Sequence, residues 1–386
     1  MYIGIVAEWN PFHEGHAFLL RTLRQSYGDV PVAAVQSGAF VQRGEPAIFD
    51  KWSRAAWSVE SGVDLVVELP AVCALQSADR FAAAGAQLAA DLGCSHLAFA
   101  AESLPAEALM EMAAWSLSPH FSAELRQALD AGIPYNRAVN EAMALRFPSE
   151  KEALSLPNNL LGIQYARTIA ERHLPLSIIT IRRDSSLSPA SATAIRQKIK
   201  DGAPPPWIPE TEKASLSALL SEGRVTDYDR YDDACLLCAK TLTKDELRRS
   251  QLFSEGLENR WYSARDAASY GDMLSQVKSK RYLLSRLRRT GASLLLGGGH
   301  FPSPMSRPGQ APYARLLAMR RSKSDLLRQA VIPVVTRFAR GEKDMPQFSL
   351  YFEMEKQASN MQSFCFQSAD ARTGGMDYLH SPVILP

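Results

Sequence analysis

A chain of 386 residues, 46% hydrophobic and 22% charged, has the balance of a globular protein with buried cores rather than of a fibrous or disordered one. A formal net charge of +2 excludes a polyanion partner argued from total charge, so any nucleic-acid surface has to be local. No window reaches the ~20 apolar residues of a membrane helix, no basic and apolar leader opens the chain, and five scattered cysteines do not make a secreted disulfide framework. These features predict a cytoplasmic protein that needs neither a membrane nor an obligate protein partner.

Along the chain, short apolar runs at residues 2–7, 30–35, 65–69, 97–100 and 176–181 read as strands buried on both faces, as in a parallel sheet. Helical patterns at 17–27, 52–61 and 78–92 lie between them. That alternation predicts a doubly wound α/β domain whose ligand site lies beyond the carboxyl ends of the strands. From 105 to 157 strands give way to helical patterns, at 106–115 and 138–145, which predicts a helical insertion. The proline-rich run 201–209 can be neither helix nor interior strand and marks a boundary. The expected division is therefore an α/β domain over 1–205 and a mainly helical domain over 206–386, with helices at 212–222, 243–251 and 265–278. Cys235 and Cys238 lack a second pair or nearby histidines and read as two faces of an ordinary helix; no metal site is expected from the protein's own residues.

The first strand ends in Ala7-Glu8-Trp9-Asn10-Pro11-Phe12-His13-Glu14-Gly15-His16, and Ala17, Phe18, Leu19 and Leu20 continue as a helix. Two histidines three apart at a helix start put both imidazoles beside free backbone N–H groups that attract anions. Gly15 allows a nucleotide close to the backbone. Imidazole donors there would stabilise charge as pyrophosphate leaves. A later segment, Ser191-Ala192-Thr193-Ala194-Ile195-Arg196, offers hydroxyls, N–H groups and a guanidinium to phosphate oxygens. Taken singly, either segment also fits a plain capped helix.

Together these residues resemble the HIGH-type nucleotidyltransferase superfamily, and the match narrows to the bacterial tRNA(Met) cytidine acetate ligases. It is carried by residues 4–16, Ser37-Gly-Ala-Phe-Val-Gln-Arg-Gly-Glu-Pro-Ala47, Val63-Asp-Leu-Val-Val-Glu-Leu-Pro70, Pro157-Asn-Asn-Leu-Leu-Gly-Ile-Gln-Tyr165, residues 191–196, Lys280-Arg281 and Pro312-Tyr-Ala-Arg315. The resemblance implies a HUP-like Rossmann domain in which ATP and acetate form acetyl-adenylate. Acetyl then passes to N4 of the wobble cytidine of elongator tRNA(Met), and Mg²⁺ is expected to accompany the triphosphate. It assigns residues 7–20 to ATP, with His13 and His16 catalytic, and adds Asn158 and Arg183; Asn159 and Arg182 stand next in sequence and fit as well. Where the family has Phe-Gly-Ser-Glu this chain has Phe99-Ala100-Ala101-Glu102, so ATP affinity is the property that the added Cβ bears on.

Two features fall outside the nucleotide motifs. Residues 42–46 form a loop after the second strand in which Arg43 is placed to meet acetate, pyrophosphate or RNA, unless Gly44 and Pro46 simply build a surface turn. The stretch 278–289 carries Lys278, Lys280, Arg281, Arg286, Arg288 and Arg289 with no acidic residue. On one helix, Tyr282, Leu283 and Leu287 would turn inward while the cations follow a tRNA backbone. The alternatives are a small-molecule adenylyl- or cytidylyltransferase of the same superfamily and a tRNA-binding protein with a decayed nucleotide site.

Overall fold

The computed structural model describes residues 1–133, 135–183, 192–201, 207–250, 252–254, 256–297 and 310–386. Its strands are β1 (Ile3–Ala7), β2 (Val32–Ser37), β3 (Phe40–Val41), β4 (Glu45–Pro46), β5 (Leu65–Leu69), β6 (His96–Ala101), β7 (Ser177–Arg182), β8 (Ala314–Arg320), β9 (Val334–Val335) and β10 (Val383–Leu385). Eight of them form one sheet in the order β10-β8-β5-β2-β1-β6-β7, with β9 alongside β8. All neighbours are parallel except β5 and β8. Strand order reverses between β1 and β6, which makes the carboxyl ends of these two strands the switch point where a doubly wound sheet binds ligands.

The expected continuous apolar runs are buried on both sides. Ile3, Ile5, Val32, Ala34 and Val66 pack into one layer with Leu20 and Trp57, while Val35, Leu65, Val67 and Leu97 pack into the other with Phe81 and Leu88. The helix Ala78–Asp91 lies hard against β1, because a Cβ on Gly85 would come within 2.7 Å of Val6 and one on Gly4 within 2.9 Å of the Ala89 Cβ. That close approach brings the helix N-terminus to the switch point. The expected insertion is present as the helices Ala106–Ser116, Pro119–Asp130 and Tyr135–Arg146.

Beyond residue 206 the chain is mostly helical, yet β8 and β10 cross the expected 205/206 division and complete the sheet. Ala-Arg-Leu-Leu-Ala-Met-Arg is composed of helix formers, so propensity alone hides β8. Pairing with β5 and burial of its first six residues override that preference. The helix expected over 265–278 is shorter, Tyr270–Val277, and a separate helix, Leu257–Ala264, precedes it. Ser269 Oγ accepts from Asp272 N at 3.1 Å and starts Tyr270–Val277 afresh.

Charge is buried where the two halves of the chain meet. Lys51 Nζ lies 2.7 Å from both Glu68 Oε1 on β5 and Asp377 Oδ1, and its side chain is fully buried. Arg315 on β8 bonds Glu68 Oε2 at 3.1 Å and Asp377 Oδ1. Burial opposes ionisation of Asp377, but Lys51 and Arg315 outweigh it and hold its carboxyl down at about 2. Glu355 is acted on by Lys51 as well, but more weakly than by burial and by Glu68. Burial, then the neighbouring Glu68, push its carboxyl well above the usual range, while its Oε1 accepts from Ala71 N. A carboxyl whose folded value is raised favours folding below its unfolded value near 4.3 and loses that favour as pH rises towards the folded value. Glu355→Gln should therefore gain stability relative to the parent between pH 5 and pH 8 in paired urea titrations. An identical difference at both pH values would count against a protonated Glu355.

Candidate active site

A cavity of about 1950 Å³ opens at the carboxyl ends of β1, β6 and β7. This is larger than the ~300–1,000 Å³ of ordinary small-molecule sites, so it has room for a nucleotide and a second substrate. His13 caps the helix Glu14–Tyr27, its Nδ1 accepting from Gly15 N at 3.1 Å. His16 Nδ1 accepts from His13 N at 3.3 Å, and the rings stack at 3.8 Å. With both Nδ1 atoms accepting, each neutral ring carries its proton on Nε2. Burial, then the charge of Arg183, lower the His13 imidazole to about 4; burial, His13 and Arg183 together hold His16 well below its usual value. Both side chains line the cavity as neutral donors at neutral pH.

The loop that carries them is pinned from below. Arg54, fully buried, donates to Glu8 O at 2.6 Å, to Phe49 O at 3.1 Å and to Gly38 O, which fastens the ends of β1 and β2 together. Burial outweighs its acidic neighbours and lowers the guanidinium to about 10. Asn10 Oδ1 accepts from Ile48 N at 2.8 Å, while Trp9, at a left-handed φ of 44°, packs edge-on against Phe12. Glu8 Oε1 accepts from Gln42 N at 2.6 Å, and burial raises its carboxyl.

Within residues 7–20 the side of the loop facing the cavity is Ala7, Glu8, Trp9, Asn10, His13, Gly15, His16, Phe18 and Leu19. Pro11, Phe12, Glu14, Ala17 and Leu20 lie away from its walls; Phe12, Ala17 and Leu20 belong to the core layer beneath. Ala100 lines the cavity and Ala101 does not, since it faces the opposite side of β6. Asn158 borders the cavity, while Asn159 is fully buried and spent on structure: its Oδ1 accepts from Glu102 N at 3.1 Å and its Nδ2 donates to Ser103 Oγ and Ala153 O. Arg182 and Arg183 both reach the wall, and Arg183 acts electrostatically on both histidines. Thr193 and Arg196 come to the same cavity from the helix Ala192–Lys200, where Arg196 donates to Asn10 O at 2.8 Å and so ties the second motif to the first. Ser191 lies outside the described residues. Cys235 and Cys238 sit on the helix Tyr228–Thr241 as free thiols whose acidity burial weakens.

The basic stretch differs from expectation. Residues 278–283 are not helical; Ser279 Oγ accepts from Tyr282 N at 3.1 Å in a local turn that competes with helix, and the next helix spans Leu284–Leu295. Tyr282 and Leu287 are buried as expected, whereas Leu283 is 44% exposed. Arg281, Arg286 and Arg289 line the same cavity as the histidines, while Lys278, Lys280 and Arg288 stand outside it. Sequence reasoning separated these cations from the nucleotide site because nothing local shows that residues 284–295 pack across residues 41–44. Arg54 was missed for a related reason, since its role rests on carbonyls from three distant segments.

A family model described as HIGH Nucleotidyl Transferase matches residues 1–377. A tRNA(Met) cytidine acetate ligase of Geobacillus sp. is 32% identical over 92% of each chain, and one of Syntrophomonas wolfei is 34% identical over 99% of each. The chain belongs to the tRNA(Met) cytidine acetate ligase family of HIGH nucleotidyl transferases. In keeping with that family, the fold is similar over its full length to a crystal structure of Thermotoga maritima TmcAL bound with alpha-thio ATP, with TM-score 0.92 and 28% identity, and to the apo form, with TM-score 0.89.

His16→Ala should lower ATP–pyrophosphate exchange ~100-fold or more by removing a preorganised donor, with circular dichroism unchanged. In the parent, exchange should show no acidic limb from His13 until pH falls towards about 4, because the active ring is already neutral above that value. A limb near pH 6.5 in the rate profile would contradict the neutral pair. Arg183→Ala should weaken ATP binding by roughly 1.5–3 kcal/mol in calorimetric titration.

Proposed function

We propose that this chain is an ATP-dependent acetate ligase that forms acetyl-adenylate and transfers the acetyl group to N4 of the wobble cytidine of elongator tRNA(Met). The observation that carries the reading is that His13, His16, Asn158, Arg183 and Arg196 share one large cavity with Arg281, Arg286 and Arg289. The first group is suited to a triphosphate and the second to an RNA backbone. In the first step an acetate oxygen attacks the α-phosphorus and pyrophosphate leaves, its developing charge met by the Nε2–H donors and by Arg183. In the second the N4 amine attacks the acetyl carbonyl, the C–N bond forms, the mixed anhydride C–O bond breaks, and AMP departs as the amine gives up a proton.

Mg²⁺ would travel with ATP. Among the described residues no group of three or more His, Cys, Asp or Glu is arranged to hold a metal, so phosphate oxygens and water would supply most of its ligands. Ala100 narrows the nucleotide side by one methyl where the family has glycine. None of the described helices is long and apolar enough to cross a membrane, and a cytoplasmic setting suits both the tRNA and the five free thiols.

Purified protein with ATP, labelled acetate and bulk tRNA tests this directly. Acetate-dependent pyrophosphate exchange followed by label in tRNA(Met) supports it; exchange without label in any RNA would point to a small-molecule transferase. Reversing Lys278 and Lys280 to Glu should weaken tRNA binding and flatten its salt dependence by about 0.7–0.9 in log–log slope for each phosphate that is no longer neutralised. Adenylation should continue, since both residues stand outside the cavity. An unaltered salt slope would leave these lysines as a solvated surface.

A further inference from the structure

The loop between β3 and β4 is not a free surface turn. Gly44, at φ +80°, sits so close to the helix Leu284–Leu295 that a Cβ would come 2.5 Å from Arg289 N and 2.6 Å from Arg288 C, and Tyr231 Oη donates to Gly44 O at 2.9 Å. This packing buries the next residue, Glu45, between two guanidinium groups that come from segments far apart in the chain. Its Oε1 lies 3.3 Å from Arg196 Nη2 and its Oε2 lies 3.5 Å from Arg288 Nη1. Its side chain is 12% exposed, as is that of Arg196, while that of Arg288 is 46% exposed.

The quality of these pairs matters. Glu45 Oε1 has no hydrogen-bond partner among the described residues, although it is buried and beside a cation. The Arg196 hydrogen bonds go instead to Asn10 O at 2.8 Å and Thr193 Oγ1 at 3.3 Å. The carboxylate is thus held by charge proximity and can redistribute between its two partners at small geometric cost. Arg196 belongs to the nucleotide side of the cavity and Arg288 to the basic segment.

We infer that Glu45 is a positioning residue that couples nucleotide occupancy to RNA affinity by dividing one carboxylate between Arg196 and Arg288. The inference rests on the function proposed above. When a triphosphate draws Arg196 towards its own oxygens, Glu45 is left to neutralise Arg288, and the RNA-facing charge falls. Once pyrophosphate has gone, Arg196 takes the carboxylate back and Arg288 is released to the backbone. Triphosphate and RNA therefore antagonise one another, and the antagonism is reciprocal, as linkage requires. This orders the reaction, with RNA engaging most firmly after adenylation.

The test is tRNA(Met) affinity with and without saturating α,β-methylene-ATP, in the intact parent and in Glu45→Gln, with folding checked by thermal melting. The parent should bind tRNA about two- to fivefold more weakly with the analogue present, the range expected for a partly exposed pair. Glu45→Gln should bind tRNA more tightly without nucleotide and lose most of the difference. Direct repulsion between triphosphate and RNA would instead persist in the variant, and an unchanged ratio there overturns the inference. So does the absence of any antagonism in the parent. Arg288→Gln, which removes the other end of the bridge, should bind tRNA more weakly and also lose the antagonism; its retention would sink the idea even if Glu45→Gln folded poorly. A parent that binds ATP but no tRNA at any salt concentration would overturn the proposed function together with this inference, whereas intact antagonism in both variants overturns only the latter.

Discussion

Charge taken out of water must be met by charge or given up, and that requirement organises this molecule at three depths. Deepest is the network of Lys51, Glu68, Arg315 and Asp377, two cations against two anions, joined by Glu355, whose carboxyl burial and then Glu68 push upward against the pull of Lys51. Replacing that network by apolar side chains would cost little in burial. Its role is geometric, since each charge can be satisfied only when β5, β8, the helix Lys51–Glu60 and the helix Met376–Leu379 are all in register.

At the cavity wall the same requirement has the opposite outcome. His13 and His16 are buried beside Arg183, and burial first, then that cation and their mutual proximity, disfavour their charged forms. Neutral imidazoles with both Nδ1 atoms tied to backbone N–H groups are donors of fixed direction, which suits them to charge that appears only as pyrophosphate leaves. An imidazolium pair would bind a triphosphate before reaction as strongly as after, and so would raise affinity more than rate. Arg54 serves this geometry from beneath the floor by bonding three carbonyls at the ends of β1, β2 and the following loop.

Between these extremes lies Glu45, buried enough to need a partner and offered two. The large cavity follows from this arrangement, because the helix Leu284–Leu295 packs on the β3–β4 loop and places its arginines opposite the histidines. A cavity lined from residues 5–19, 72–83, 157–172, 181–183, 192–196 and 281–293 belongs to no single segment of the chain. That explains why an enzyme of this kind needs its C-terminal half near the nucleotide.

By itself the sequence determined what local chemistry can determine: the apolar runs of β1, β2, β5, β6 and β7, the helices between them, and the histidine pair at the first helix start. These are signals carried by neighbours in the chain, namely strand periodicity, glycine spacing and capping, and they survive without knowledge of the fold. Only the tertiary structure decided that Ala314–Arg320 is a strand, because its helix-forming residues yield to an open sheet edge at β5. It alone chose Asn158 over Asn159 at the wall, since one is spent on Glu102 and Ser103. It also turned Arg281, Arg286 and Arg289 inward and set Glu45 between Arg196 and Arg288. Each of these rests on groups tens to hundreds of residues apart, whose meeting is settled by packing and desolvation and leaves no local trace in the chain.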